Sequence, residues 1–584
     1  MSGFDVVKIV DDRVLQTQNR FACIQGGNSV QSVPFPSNSS NSSQQQYTIN
    51  VSSRETFIDR AVQWTNTTAA QFTATRSGAV VGDVGQPIAQ LGRDFALSVF
   101  PNHQCVNTAS VTINGTTISF QASLYLNEVL RLADCGDDRA IRTCPTMLDT
   151  LASYNSAAGT QISPLNDYSS ALVNDAVPNG AWSQIVFTNP TGTPLSGTSS
   201  YTSGGIVVQY VNGIPVISAP GGVVVTSYPL FVKWTTTEKL CVSPFIFADS
   251  KEYSTGLFGV ESFTITLNMG SLSFTTPSNR PIRQTSQYGC VLSALSYNLT
   301  NASGSPFTNS SMQLITISPS LDPQVGLPLK SSLPMTNYMI YPTSGLSPVP
   351  AGSSVVVATT NLNLSGIPDL LILYAKPTAY ESTDADWYVP ITQVTLTFAN
   401  QTSMSSYTQS QLYGCSVHNG LKQDFGEWSG AVKLGGQSVQ SVSGMIVLRP
   451  GIDFALTPGE AAGCSGKYNF YANCTLSDPT GGGVPAYTLY VLAVNSGFFD
   501  TSGGTSISIQ QPLTQSDVLR AQLVSTLAPL VRAVGGSLLG SLGSILSKGI
   551  KLAPDIGNAI GKVAPVVSDL IQKAKGSSLH KRLA

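Results

Sequence analysis

Apolar and polar residues alternate over short stretches throughout the first part of the chain, from Tyr47 to about Asn268. A period of two is typical of strands that bury one face, and Asn-Gly between two such runs is a strong signal for a hairpin turn. The pattern therefore predicts many strands joined by short turns. Three hairpins are predicted, at residues 110–121 around Asn114-Gly115, at 205–218 around Asn212-Gly213, and at 262–274. Residues 124–157 interrupt the pattern and predict either a short helix or a long excursion loop.

A second β-rich half extends from about residue 288 to 512. Its predicted strands are bounded by clusters of Gly, Pro, Asn or Ser, as strands usually are. They are QLITISP, SSVVVATTNLNL, DLLILYA, QVTLTFA, GMIVLRPGIDFAL and YTLYVLAV. Two halves of roughly 220 residues, each with many short strands, predict an all-β fold of two sandwiches side by side.

Changes in composition predict the limits of the domains. An N-terminal arm is expected at residues 1–45, the first sandwich at 46–280, the second sandwich at 281–512, and a tail at 513–584. The segment 275–287, TTPSNRPIRQTSQ, contains two Pro and two Arg and is expected to link the two sandwiches.

The tail from Gly535 to Ala584 differs from the rest of the chain in charge. Its cations are Lys548, Lys551, Lys562, Lys573, Lys575, Lys581 and Arg582. Against Asp555 and Asp569 they give a net charge of +5, so the other 534 residues carry −7 of the total of −2. Pro554 and Pro565 each suit the first position of a short helix, which predicts a series of cationic helices with apolar faces.

Three roles suit such a tail: packing on the β domains, contact with a membrane, and contact with nucleic acid. Seven cations offer only a modest electrostatic grip on phosphates, and the apolar content exceeds what phosphate binding requires. The composition therefore favours a membrane slightly over nucleic acid.

Overall composition excludes several classes of protein. Only 11% of the 584 residues are charged, whereas soluble domains usually have about a quarter. A hydrophobic content of 42% is too high for wholesale disorder, and the low charge is inconsistent with a coiled coil. A net charge of −2 does not fit a chain that binds nucleic acid over its whole surface.

The sequence contains few residues suited to catalysis. His103, His418 and His580 are its only histidines, and none belongs to a metal-binding or hydrolase motif. Asp384 and Asp386 would suit glycoside chemistry or calcium, but a solvated loop is the simpler interpretation. We therefore expect no enzymatic activity, no cofactor, no metal and no small-molecule substrate.

The nine cysteines are odd in number and scattered, without a CxxC pair. Buried free thiols are expected; a role for Cys144 as a nucleophile paired with a distant histidine is the alternative. The first residues lack the apolar run of a secretory signal, and no transmembrane helix is predicted. We therefore expect the chain to remain in the cytosol or nucleus of the cell that makes it.

Five stretches in order along the chain carry a family resemblance. They are YTINVSSRETFIDRAVQW (47–64), CPTMLDTLASYNSAAGTQISPLNDYSS (144–170), FADSKEYSTGLFGVESFTITLNMG (247–270), TQSQLYGCSVHNGLKQDFGEW (408–428) and GMIVLRPGIDFAL (444–456). Together they resemble the double-jelly-roll major capsid proteins of the adenovirus-hexon lineage, and especially those of Polinton-like viruses, adintoviruses and virophages.

The resemblance implies two tandem eight-stranded jelly rolls with long loops. It also implies that three chains form a pseudo-hexameric capsomer, and that capsomers assemble with one another and with a penton or minor capsid protein into an icosahedral shell around the genome. The protein would then be a virion component assembled in host cytoplasm or nucleus. Trp64, Trp182, Trp387 and Trp428 are candidates for interface anchors, although core packing is the simpler role for each.

Two alternatives remain open at this stage. An extracellular β-sandwich adhesin or glycan-binding module would explain the Ser-, Thr- and Asn-rich loops equally well. A β-sandwich or β-helix glycosidase would require two carboxylates facing each other across a cleft.

Overall fold

The structure is a computed structural model that describes residues 29–521 with gaps. The gaps are residues 42, 52, 54–55, 60–61, 81–85, 88–94, 133–142, 146–183, 196–198, 204–205, 212–213, 219–224, 246–255, 258, 270–281, 285–289, 298–305, 319–330, 379–386, 400–404, 435–436, 458, 479–482 and 520. The described part consists of two β-sandwiches, one in each half of the chain.

Two large antiparallel sheets form the first sandwich. The five-stranded sheet has the order β2 (Ser39–Ser40), β3 (Gln44–Asn50), β16 (Ser262–Met269), β8 (Val106–Ile113), β9 (Thr116–Phe120). The eight-stranded sheet has the order β10 (Ile185–Thr188), β14 (Val225–Lys239), β5 (Gln63–Val80), β19 (Phe307–Ser318), β4 (Phe57–Asp59), β15 (Gly256–Leu257), with β1 (Ser29–Pro36) on β19 and β18 (Cys290–Tyr297) on β5. Two smaller sheets are β11 (Ser200–Ser203), β12 (Ile206–Val211), β13 (Ile214–Ser218), β6 (Gln86–Pro87), and β17 (Ile282–Gln284) with β7 (Phe95–Leu97).

The two large sheets face each other through alternate residues. In β8 the buried and exposed positions follow the period of two that the sequence shows. Polar contacts also cross the core, where the Trp64 indole of β5 donates to the Tyr47 hydroxyl of β3 at 3.0 Å. Both side chains are fully buried, so this hydrogen bond satisfies polar groups that water cannot reach.

Two five-stranded sheets form the second sandwich. One has the order β20 (Ser331–Leu346), β30 (Tyr487–Ser502), β23 (Leu370–Pro377), β28 (Ile446–Leu448), with β31 (Thr505–Gln510) on β30. The other has the order β21 (Ser354–Ala358), β29 (Ser465–Ser477), β24 (Ile391–Phe398), β25 (Ser405–Thr408), with β22 (Leu362–Gly366) on β29. A separate hairpin pairs β26 (Ala431–Leu434) with β27 (Gln437–Gln440).

Along the second sandwich the chain crosses repeatedly from one sheet to the other. It passes from β20 to β21 and β22, back to β23, across to β24 and β25, and then through β28 and β29 to β30. This winding is that of a jelly roll. The expectation of an all-β fold built from two such sandwiches is confirmed.

Four helices lie wholly within the described residues: α1 (Pro101–Gln104), α2 (Ala122–Leu130), α3 (Gln409–His418) and α4 (Phe425–Trp428). A further helical segment begins at Gln515. The Gln411 side chain accepts from the backbone N–H of Thr408 at 2.9 Å, which fixes the start of α3. At the other end, Asn419 donates to the carbonyl of Val447 in β28 at 3.0 Å. None of the helices in the described part has the length and apolar content needed to cross a membrane.

Two of the three expected hairpins are observed, β8–β9 and β12–β13. Asn114 and Gly115 both have positive φ, at 46° and 86°, as a tight hairpin turn between β8 and β9 requires. In the third, β16 is present, but residues 270–281 fall outside the description. The short helix considered for residues 124–157 corresponds to α2.

Strand pairing differs from the expected domain limits in three places. β18 and β19, expected in the second sandwich, pair with β5 of the first. β1, expected in the N-terminal arm, pairs with β19 over eight residues. β17, expected in the linker, pairs with β7. The physical reason is that alternation identifies a strand and its buried face but does not specify the sheet that the strand joins.

Candidate functional site

Helix α2 of the first sandwich packs against the sheet of the second sandwich that contains β20 and β23. The Tyr125 ring stacks on Tyr338 of β20, with ring centroids 4.7 Å apart. The Tyr374 hydroxyl of β23 donates to the carbonyl of Leu124 at 2.9 Å. These contacts place the flat face of one sandwich directly against a helix of the other.

A buried charged cluster lies within this junction. Glu128 of α2 has no exposure, and its Oε1 lies 2.6 Å from Nζ of Lys376 on β23. Tyr388 donates to the same oxygen at 3.0 Å, and Nε of Arg131 donates to the Tyr388 hydroxyl at 3.3 Å. Nζ of Lys376 also lies over the Tyr374 and Tyr388 rings at 5.7 and 5.3 Å. The cluster joins groups from both sandwiches in one arrangement.

Burial favours the protonated form of two phenols at this cluster, Tyr374 and Tyr490. It raises the pKa of Tyr374 well above its usual value, and the Glu128 carboxylate adds to that rise while Lys376 opposes it. Burial also raises the pKa of Tyr490, whose ring stacks on Tyr374. Protonated phenols remain hydrogen-bond donors, as their contacts across the junction require.

A second contact joins the β8–β9 hairpin of the first sandwich to the β30–β31 hairpin of the second. The Asn114 amide donates to the carbonyls of Gly259 at 2.9 Å and Thr505 at 3.4 Å, and its oxygen accepts from the backbone of Glu261 at 2.8 Å. Beside it, the Thr116 hydroxyl donates to the carbonyl of Ser506 at 2.8 Å. Ser506 in turn donates to the carbonyl of Ile113 at 2.5 Å. The β8–β9 turn is therefore fixed to the start of β31.

A third contact comes from the loop that follows β14. The Ser243 hydroxyl donates to the carbonyl of Thr336 in β20. The same loop holds Cys241, which belongs to a small apolar cluster against which Tyr338 packs. Three separate contacts therefore fix how the two sandwiches lie against each other.

The residues considered for catalysis are not arranged as a catalytic site. His103 is buried in the first sandwich and His418 is exposed on the second. Cys144 is buried in an apolar cluster with Val99 and Phe100. His580, Asp384 and Asp386 lie outside the described residues.

No group of three His, Cys, Asp or Glu residues that could hold a metal ion is present in the described part of the chain. Six cysteines of the described part are not joined in disulfides: Cys105, Cys144, Cys241, Cys415, Cys464 and Cys474. Trp64, Trp387 and Trp428 are buried within the sandwiches, which fits core packing, whereas Trp182 lies outside the description.

All seven cations singled out in the tail lie outside the described residues: Lys548, Lys551, Lys562, Lys573, Lys575, Lys581 and Arg582. The interdomain contacts were missed by sequence reasoning. One signal for them was available, because DLLILYA and YTLYVLAV are continuous apolar runs and such runs indicate strands buried on both faces. The corresponding strands, β23 and β30, are buried at nearly every position.

Comparisons with known proteins agree with this architecture. The chain is 24% identical to the putative capsid protein V20 of Sputnik virophage over 97% of its own length and 89% of that protein. The cryo-EM structure of Sputnik virophage contains a chain that superposes with a TM-score of 0.64 at 21% identity, covering 85% of this chain and 91% of that one. The crystal structure of the mavirus major capsid protein superposes with a TM-score of 0.56 at 13% identity, covering 85% and 92%.

Two family profiles match successive parts of the chain. Residues 338–497 match the major capsid protein V20 C-terminal domain. Residues 2–316, more than half of the chain, match the Sputnik virophage major capsid protein 1st domain. With two tandem jelly rolls and a match of this extent, the chain belongs to the Sputnik virophage major capsid protein family and is a structural component of a viral capsid, not an enzyme.

Proposed function

We propose that three copies of this chain form a capsomer with a hexagonal outline, and that such capsomers make up the shell around the genome. The observation that supports this best is the junction, because it fixes two sandwiches in one chain as a rigid pair. Three rigid pairs around a three-fold axis present six sandwiches to their neighbours, and closed cyclic symmetry is usual for oligomers of one chain.

Size-exclusion chromatography followed by electron microscopy of the purified protein tests this proposal. Trimers with a hexagonal outline, or closed shells, are the expected result. Monodisperse monomers at high concentration would contradict it.

A second protein is expected at the vertices of the shell. Hexagonal units tile a plane, whereas a closed icosahedral shell also needs five-fold positions that a three-fold capsomer does not match. We propose a penton or minor capsid protein as the partner there. Shells that are purified from virions and contain this chain alone would argue against such a partner.

The cationic tail is proposed to contact an internal membrane. Support comes from its apolar residues at helical spacing together with seven cations, a combination typical of helices that lie on lipid surfaces. Packaged nucleic acid is the competing partner, because the same cations would attract phosphates.

Flotation with lipid vesicles distinguishes the two partners. The full-length protein and a chain that ends at Val534 are compared on anionic and on neutral vesicles, and on double-stranded DNA at several salt concentrations. The full-length protein alone should float with vesicles. Loss of DNA binding without loss of flotation in the shortened chain would favour the genome, and equal behaviour of both chains would exclude either role for the tail.

The pairing of strands supports a division into domains that differs from the division predicted from composition. We propose that residues 29–318 form the first jelly roll and residues 331–511 the second. Assembly is proposed to take place in host cytoplasm or nucleus, which suits six cysteines that are not joined in disulfides.

A further inference from the structure

His103 lies in a buried polar network at the start of α1. Its Nδ1 is 2.7 Å from Oε2 of Glu238, and both side chains are almost fully buried. The same carboxylate accepts from the backbone N–H groups of Asn102 at 2.6 Å and His103 at 3.1 Å, and from the Thr236 hydroxyl at 3.1 Å. Glu238 therefore has a full set of donors and fixes one edge of the imidazole ring.

The other edge of the ring faces a backbone donor. Nε2 of His103 accepts from the N–H of Cys241 at 3.0 Å. An amide N–H can only donate, so Nε2 carries no proton, and the ring proton is on Nδ1, where it is donated to Glu238. The two contacts together specify a neutral imidazole in one tautomer.

Cys241 opens the loop that carries the third contact between the sandwiches. Two residues later, the Ser243 hydroxyl donates to the carbonyl of Thr336 in β20. Cys241 itself lies in the apolar cluster that packs on Tyr338 of the same strand. The bond that Nε2 of His103 accepts therefore lies two residues along the chain from the hydroxyl bond to β20.

We propose that His103 is a proton-operated switch that couples acidification to a loosening of the junction between the two jelly rolls. A proton on Nε2 turns the acceptor into a donor, so two N–H groups would face each other at a distance that suits a hydrogen bond. The Cys241 amide must then move away, while the imidazolium keeps its contact with Glu238. Protonation thus acts selectively on the loop and releases its hold on Thr336 and Tyr338.

The groups around the ring direct the effect to this loop. Trp64 of β5 and Phe100 meet the ring edge-on, at 5.3 and 6.1 Å, and carry no charge. β8 contributes no ionisable side chain. The thiols of Cys105 and Cys241 donate to the carbonyls of Pro101 and Lys239.

Two further charged side chains come from α2, which packs against α1. Glu128 and Arg131 are engaged with Lys376 and Tyr388 at the junction. Of these neighbours, Glu238 is the charged group bonded to the ring, and it is bonded at Nδ1, not at the edge that faces the loop.

Hydrogen exchange of the full-length protein at about pH 7.5 and about pH 5 tests the switch. Protection is expressed relative to the intrinsic exchange rate at each pH. The wild type should lose protection about tenfold or more in residues 240–245 and in the first part of β20 at the lower pH. His103→Gln supplies a neutral donor and acceptor in place of the ring and should abolish that loss. His418→Gln, at an exposed histidine, should retain it.

Unchanged protection in the wild type, or a loss that persists in His103→Gln, would overturn the proposal. Where His103→Gln does not fold, Ser243→Ala gives a second test, because it removes the hydroxyl bond between the loop and β20. In that variant acid should still lower protection in residues 240–245 but no longer change it at Thr336. A response at Thr336 equal to that of the wild type would contradict the coupling.

Discussion

Glu128 of the first jelly roll and Lys376 of the second form an ion pair of 2.6 Å in which the carboxylate is completely buried. Taking two charges out of water is costly, so such a pair adds little net stability compared with apolar residues of the same shape. Its effect is on geometry, because any other arrangement of the two jelly rolls would leave one of the charges buried without its partner. The pair therefore favours one relative orientation within the chain.

Replacing Lys376 with Met should destabilise the protein by about 3 to 5 kcal/mol, because Glu128 would remain buried without a counter-ion. The double variant Glu128→Gln, Lys376→Met should recover part of that loss. Denaturant unfolding of both variants and of Glu128→Gln gives the coupling free energy. Lys467→Met serves as the control, since Lys467 is exposed. A Lys376→Met variant as stable as the control would show that the pair has no role in the junction.

Asn114 should be difficult to replace, because it combines a positive φ with four side-chain hydrogen bonds. Asn114→Gly keeps the backbone free to adopt that φ and should cost about 1 to 2 kcal/mol for the lost bonds. Asn114→Ala should cost about 1 kcal/mol more, because alanine is strained at this φ. Thermal unfolding checks the order of the two variants. Asn363→Ala, at an exposed position of β22, should be close to neutral.

Two glycines should respond to alanine with opposite signs. A Cβ at Gly444 would overlap the Trp428 ring, so Gly444→Ala should destabilise by about 1 to 3 kcal/mol. A Cβ at Gly414 in α3 would meet nothing within 4 Å, and Gly414→Ala should stabilise by about 0.5 to 1 kcal/mol through helix propensity. Melting temperatures measure both changes. A loss at Gly414 equal to that at Gly444 would mean that the space around these positions is not as described.

Stability should fall in alkaline solution. Burial raises the pKa of the Cys474 thiol from 9.0 to about 12, so the unfolded chain releases this proton at a lower pH than the folded chain. The stabilising effect is fully present below pH 9 and is lost as pH rises toward 12, by up to about 1.4 kcal/mol for each pH unit. Unfolding free energies between about pH 8 and about pH 11 measure the slope, which should be smaller in Cys474→Ala.

Strands and tight turns were predictable from the sequence because they depend on local chemistry. The Asn114-Gly115 turn is fixed by two adjacent residues that tolerate positive φ, and β8 and β9 follow from the alternation on either side. In most of β24 and β29, buried positions alternate with positions that are half-buried or exposed, which is the period of two expected for strands.

Junction residues were not predictable in the same way. Glu128 and Lys376 are 248 positions apart, and neither shows in its own surroundings that it faces the other. His103 and Glu238 are similarly distant, and their contact depends on α1 and β14 being brought together by the fold. The same limit explains why β18 and β19, expected in the second sandwich, pair with β5 of the first. A strand can add to the edge of any sheet, and its own sequence does not specify which one.

The pairing of β1 with β19 has a consequence for the chain as a whole. Ser29 and Ser318 are partners in this ladder, so a strand near the start of the chain pairs with one that lies just before the second jelly roll. Pairing between segments so far apart in the sequence forms late in folding, because the long intervening chain must first be brought together. During synthesis β1 therefore has no partner until β19 has been added, almost 300 residues later.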